Sequence, residues 1–153
     1  MIDMSTGFTL VRELDATPAE LWQAWTDPDE VAIWWHPAGA RTPRESVSID
    51  ARVGGQYVYT MVDETSGNEV VTGGVYRELV ENERLVFTWG YPDGDPEDTP
   101  IVTVTFEPLG ELTRMTFDLR GVTGMAGDGF FYDGWESVLD QLAGFIGQTE
   151  VAG

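Results

Sequence analysis

Alternation of apolar and polar residues divides this chain into strands at its start and middle and a helix at its end. Phe8 to Leu14 sets Phe8, Leu10, Arg12 and Leu14 against Thr9, Val11 and Glu13. That period of two predicts a half-buried strand. Gly55 to Asp63 repeats it, with Tyr57, Tyr59 and Met61 opposite Val58, Thr60 and Val62. The turn at 64–68 joins this run to Val70–Val80 and predicts a hairpin. Ser46 to Asp50 is a short strand candidate. Leu85 to Tyr91 puts Leu85, Phe87, Trp89 and Tyr91 on one face. Ile101 to Glu107 and Leu112 to Arg120 offer Val102, Val104, Phe106 and Met115, Phe117, Leu119 as inward faces.

Two helix starts separate the first strand from the rest. Thr17-Pro18-Ala19-Glu20 is a capping box with proline at the first helical position, and it opens a helix carrying Leu21, Trp22, Ala24 and Trp25. Asp27-Pro28-Asp29-Glu30 repeats the signature and opens a second helix through Val31 to about Trp34. A loop from His36 to Pro43 leads out. At the far end Phe131, Trp135, Val138, Leu139, Leu142, Phe145 and Ile146 recur at spacings of three and four. Asp133, Glu136, Asp140 and Gln141 take the other side, so the segment is an amphipathic helix. About 18 helical residues span roughly 27 Å, and a strand of seven or eight residues spans about 25 Å. One helix can therefore lie along a whole sheet. The expectation is a single α+β domain over residues 1–153: a curved antiparallel sheet of about seven strands, two short helices and one long C-terminal helix.

Composition narrows the classes of function. With 153 residues, 42% of them hydrophobic and 23% charged, the chain reads as one globular domain. No apolar run reaches membrane-spanning length, and the N-terminus lacks the pattern of a signal peptide, which fits a cytoplasmic location. Cysteine is absent, which excludes disulfides and thiolate chemistry. The net charge is −19, and all eight basic residues are arginine, as in proteins of GC-rich genomes. So acidic a chain repels phosphate backbones and anionic lipid heads, which argues against nucleic acid or membrane partners. It leaves room for a homodimer or a protein partner with a basic face.

Candidate chemistry is sparse. His36 is the only histidine; it reads as loop packing, with a ligand contact as the alternative and no identifiable orienting partner for a catalytic base. The carboxylates of 93–98 are interrupted by Pro96 and lack the spacing of a calcium loop, so they read as a solvated acidic loop. Ser66, Ser137 and Thr72 have no nucleophile motif around them. Arg77 reads as one half of an exterior salt bridge, or, if its face is inward, as an anchor for an acidic ligand group. Nothing calls for a metal or a cofactor.

The strongest pattern is aromatic, and with it comes a resemblance. The segments Ala16–Trp22, Trp34-Trp35-His36-Pro37-Ala38-Gly39, Val53-Gly54-Gly55-Gln56-Tyr57, Gly74–Leu79, Glu83–Trp89, Val102–Phe106 and Gly134-Trp135 occur in this order over nearly the whole chain. Together they resemble the helix-grip superfamily of START-like (SRPBCC) domains, and within it the homologues of the activator of the heat-shock chaperone ATPase. Gly54-Gly55 permits a bend where such a sheet must curl. The resemblance implies a ligand cavity between sheet and helix, lined by Trp34, Trp35, Tyr57, Tyr59, Met61, Val75, Phe87, Trp89, Val104, Met115, Phe117, Phe131, Tyr132, Trp135 and Leu139, with His36 and Arg77 as polar contacts. The alternative is that these rings simply fill a core. Two departures stand out: His36 replaces a glycine common in relatives, and Phe131 replaces a histidine, which makes the interior drier. The expected function is binding of a small hydrophobic or aromatic molecule or lipid. Two alternatives remain: a cyclase, dehydratase or hydrolase using the same cavity with Tyr59, His36 or Arg77, and a chaperone-type interaction module.

Overall fold

Capping and alternation produce most of the expected elements. The computed structural model describes residues 2–152. β1 (Gly7–Leu14) leads to α1 (Pro18–Thr26) and α2 (Pro28–Trp34). Thr17 Oγ1 accepts from the Glu20 amide at 3.1 Å while the Thr17 amide donates to Glu20 Oε1 at 2.9 Å, so the capping box closes. The second start behaves differently. Asp27 caps the Asp29 amide at 2.8 Å, but Glu30 turns away to accept from the Gln23 side-chain amide.

The strands follow as β2 (Ala40–Arg41), β3 (Ser48–Ile49), β4 (Gln56–Asp63), β5 (Glu69–Val80), β6 (Arg84–Thr88), β7 (Ile101–Leu109) and β8 (Leu112–Arg120), before α3 (Phe131–Ala152). They form one curved antiparallel sheet in the order β1-β8-β7-β6-β5-β4-β2, with β3 also paired to β4. The sheet thus has eight strands where about seven are predicted. The extra one, β2, lies inside the expected loop and pairs only Ala40 and Arg41 with Asp63 and Val62. Two residues are too few to show a period. The strand expected at 46–50 shrinks to Ser48–Ile49, because Arg44–Ser46 winds into a 3-10 turn. β6 stops at Thr88, where Gly90 bridges Gly73, and Tyr91 is 72% exposed. Trp89 therefore continues the apolar face of β6 and Tyr91 does not.

The sheet changes partners along β5, whose first half pairs with β4 and whose second half pairs with β6. Gly73 and Gly74 sit at the crossing. A Cβ on Gly74 would lie 2.0 Å from the Thr88 carbonyl oxygen, and one on Gly73 would lie 2.6 Å from that of Tyr57. Only glycine permits that approach of three strands. Gly54-Gly55, the pair expected to permit a bend, receives Tyr76 at the entry to β4, with Gly54 at φ +85°: the Gly54 amide donates to Tyr76 O at 2.8 Å, and the Tyr76 amide to Gly55 O at 3.0 Å.

α3 covers the inner face of the sheet. Trp135, Val138, Leu139, Leu142 and Ile146 are buried against Leu10, Val104, Phe106, Met115, Phe117 and Leu119 in one continuous core. On β1, Arg12 shares the inward face and reaches up to Glu136 and Asp140 on α3, at 3.9 and 3.8 Å. Such half-exposed pairs contribute at most about 1 kcal/mol, so apolar burial holds the helix down. No helix among the described residues is long and apolar enough to cross a membrane.

Candidate functional site

Two stretches of large rings meet under α3. The end of α2 supplies Trp34 and Trp35, which stack at 5.5 Å with their planes 13° apart. Trp34 is fully buried and donates its Nε1–H to Ala24 O at 2.8 Å, so it belongs to the packing of α1 on α2. Trp35 turns into the interior, where its ring meets Tyr57, Tyr59, Phe87 and Trp135 at 4.9–6.1 Å. Trp135, one turn into α3, packs on Phe117 at 4.4 Å and Trp89 at 5.3 Å. These rings fill most of the space between sheet and helix.

What stays open is a cleft of about 110 Å³ beside the first turns of α3. Trp35, Pro37, Tyr59, Met61, Trp89, Phe130, Phe131, Gly134, Trp135 and Val138 line it. An internal cavity of about 150 Å³ accommodates benzene, so this cleft encloses less than one aromatic ring. Phe130 stands 68% exposed at its edge and stacks on Phe131 at 4.5 Å. Phe131 in turn meets Trp89 edge-on at 5.8 Å. The loop after α2 is pinned to α3 by the Ala38 amide donating to Ser137 Oγ at 2.8 Å, which fixes Pro37 across from Val138.

No lining residue carries a formal charge. Tyr59 is buried, and burial pushes its hydroxyl up from the usual tyrosine value; hydrogen bonding with Trp89, Thr72 and Trp35 offsets part of that. Trp89 Nε1 donates to this hydroxyl at 3.4 Å. Tyr59 is therefore a neutral phenol at ordinary pH. Trp135 differs from the other deep tryptophans: its Nε1–H is sealed from solvent and meets no acceptor, the only such buried side-chain polar atom among the described residues. Leaving a buried donor unpaired costs about 1–3 kcal/mol.

The α3 edge of the cleft is held by two carboxylates. Asp128 accepts from the amides of Phe130 at 2.8 Å, Met125 at 3.2 Å, and Tyr132 and Asp133 at 3.3 Å. Asp133 accepts from the amides of Gly127 at 2.9 Å and Gly129 at 2.7 Å. Desolvation alone would raise the Asp128 carboxyl, but its backbone donors outweigh it and hold it below the ordinary value.

The structure separates the residues expected to share one cavity. Trp35, Tyr59, Met61, Trp89, Phe131 and Trp135 line the cleft. Trp34, Tyr57, Phe87, Val104, Met115, Phe117 and Leu139 lie behind it as buried core. Tyr132 packs on Phe8 at 5.1 Å, outside the cleft. Val75 lies outside the core, since alternation along β5 turns Tyr76 inward onto Tyr57 and Phe87. Arg77 shares the outer side with Val75 and binds Glu97 at 3.3 Å and Pro96 O at 2.5 Å, as the exterior pairing requires. His36 places Nε2 3.0 Å from Ile33 O and Nδ1 3.2 Å from Pro37 O, so both ring nitrogens face backbone carbonyls. Tyr59, His36 and Arg77 do not converge on one point. Sequence reasoning missed Phe130, Pro37, Gly134 and Val138 as lining residues. Phe130 lay just outside the helical period, and Pro37 was hidden in a loop whose path only the Ser137 contact sets.

A sheet wrapped on one long C-terminal helix, with two short helices after the first strand, defines a helix-grip domain. The chain belongs to the family described as activator of Hsp90 ATPase homolog 1-like protein, whose family model matches residues 15–147. Among solved structures it is similar to protein CV1439 from Chromobacterium violaceum, at 31% identity over 91% of this chain and 96% of that one, with a TM-score of 0.78. The AHSA1 protein SPO3351 from Silicibacter pomeroyi is 25% identical, with coverages of 94% and 99% and a TM-score of 0.75. Protein NE0264 from Nitrosomonas europaea shares the fold at 23% identity, with coverages of 98% and 99% and a TM-score of 0.81. No curated protein matches.

Proposed function

We propose that this chain is a small-molecule-binding domain whose site is the aromatic cleft at the start of α3, and that its ligand is hydrophobic or aromatic. The observation that carries this reading is the cleft itself. It is walled by rings and apolar side chains, bears no charge, and opens beside the exposed Phe130. Apolar concave sites with a few polar groups are where small molecules bind. The neutral Tyr59 hydroxyl and the Trp135 and Trp89 indoles supply those polar groups. Binding orients and desolvates a ligand there, and no acid–base pair faces it.

Melting curves and tryptophan fluorescence with a panel of uncharged aromatics and short lipids test the reading. A ligand that binds only the folded chain raises stability by about 2.7 kcal/mol at a hundred times its Kd. Trp35, Trp89 and Trp135 should report it by quenching or a spectral shift. A panel in which no member moves either signal sinks the proposal.

A further inference from the structure

The unpaired indole of Trp135 specifies the ligand more narrowly, on the premise that the cleft is a binding site. Trp25 donates to Met115 Sδ at 3.4 Å, Trp34 to Ala24 O at 2.8 Å and Trp89 to the Tyr59 hydroxyl at 3.4 Å. Trp135 alone among these buried or half-buried indoles has no acceptor, and it is the one on the wall of the cleft closest in sequence to the exposed Phe130. The Tyr59 hydroxyl and the Trp89 indole there already meet each other, Trp89 Nε1–H donating to the hydroxyl at 3.4 Å. The Trp135 donor is therefore the one left over. The uncharged lining also rejects an ionised carboxylate, which would enter without a counter-charge, and the unpaired N–H calls for an acceptor, which an ammonium lacks.

We infer that the cleft takes an uncharged molecule combining one ring, or an apolar chain of similar bulk, with a single hydrogen-bond acceptor such as a ketone, aldehyde, ester or ether oxygen, and that Trp135 Nε1–H donates to that oxygen. The N–H is sealed from solvent, so the acceptor reaches it only when a neighbouring side chain moves. Phe131 is the lining ring that continues to the surface, through its stack on Phe130. Its displacement also enlarges a cleft that otherwise encloses less than one ring.

The test is a matched pair of probes: acetophenone, which carries the acceptor, and ethylbenzene, which does not. Both are titrated into the full chain while the six tryptophan indole N–H signals are followed by ¹⁵N NMR. Acetophenone should bind about 3- to 10-fold more tightly, the range a single net hydrogen bond gives, and should move the Trp135 indole proton downfield. Trp135→Phe keeps a ring but removes the donor, and should erase the preference. Equal affinities, or an unmoved Trp135 signal in the wild-type chain, overturn the inference whether or not the variant folds. Binding of both probes without preference leaves the parent reading standing. Binding of neither, together with a silent ligand panel, removes both.

Discussion

The two ends of the aromatic interior are built from the same residue types and do different things. Beneath α1 and α2, Trp25, Trp34, Tyr57, Tyr76 and Phe87 pack with little open space. The polar atoms of both tryptophans and Tyr57 find partners there: Trp34 on Ala24 O, Trp25 on Met115 Sδ, and Tyr57, whose hydroxyl donates to Thr88 O at 2.6 Å. Beside the first turns of α3, Trp89, Phe130, Phe131 and Trp135 leave a cleft, one ring stands in solvent and one indole is unpaired. Ring content alone does not mark a site. Open space and an unsatisfied donor are what set the proposed site apart, because a core selected only for stability closes both.

The largest effect expected from this contrast is at the closed end. Trp34→Ala should cost about 3–5 kcal/mol, typical of deleting a buried ring, because it empties the space between α1 and α2 and strands Ala24 O. Urea denaturation measures it. A loss below about 1 kcal/mol would mean that the closed end is not packed as described.

Tyr57 and Tyr76 at the closed end and Asp128 beside the cleft should titrate at opposite extremes of pH. Burial, followed by the neighbouring tyrosines, pushes the Tyr57 hydroxyl well up, and burial, followed by Asp50, raises that of Tyr76. A raised folded value leaves stability intact below the unfolded tyrosine value of about 10 and removes it above, by about 1.4 kcal/mol per pH unit for each such tyrosine. At the cleft, the lowered Asp128 carboxyl works the other way. Its contribution is present above the unfolded aspartate value of about 3.9 and disappears as pH falls through the lowered folded value. Stability curves on Tyr57→Phe and Asp128→Asn should show the first variant relieving only the alkaline limb and the second flattening only the acid limb. A variant that alters the opposite limb breaks the comparison.

The smallest effect is expected at Phe130. Being mostly exposed, Phe130→Ala should change stability by no more than about 0.5 kcal/mol, yet weaken binding of any ligand that enters past it. A stability loss approaching that of Trp34→Ala would place Phe130 in the core.

Much of this was legible in the residues. The Thr17 capping box, the alternation of 112–120 and the helical period from Phe131 to Ile146 each report a local rule, and each became the expected element. The fold family followed from the order of short motifs. Failures fell where local rules are silent. β2 is held only by its partner strand. The phase of β5 past Gly73-Gly74 depends on which neighbour it pairs with, so Val75 and Tyr76 could not be assigned faces by counting alone. Tyr91 looked like a continuation of β6 until Gly90 met Gly73.

The amino-acid sequence by itself determined the architecture, the acidic charge, the absence of thiol chemistry and the wealth of rings in the interior, because patterning and composition act through short-range propensity and burial. Tertiary structure alone decided which rings close the core and which border open space. That choice depends on how α3 lies on the bent sheet, on the Ser137–Ala38 contact, and on whether an acceptor happens to stand opposite each indole. The paired Trp34 and the unpaired Trp135 look alike in the chain, and only their neighbours in space tell them apart.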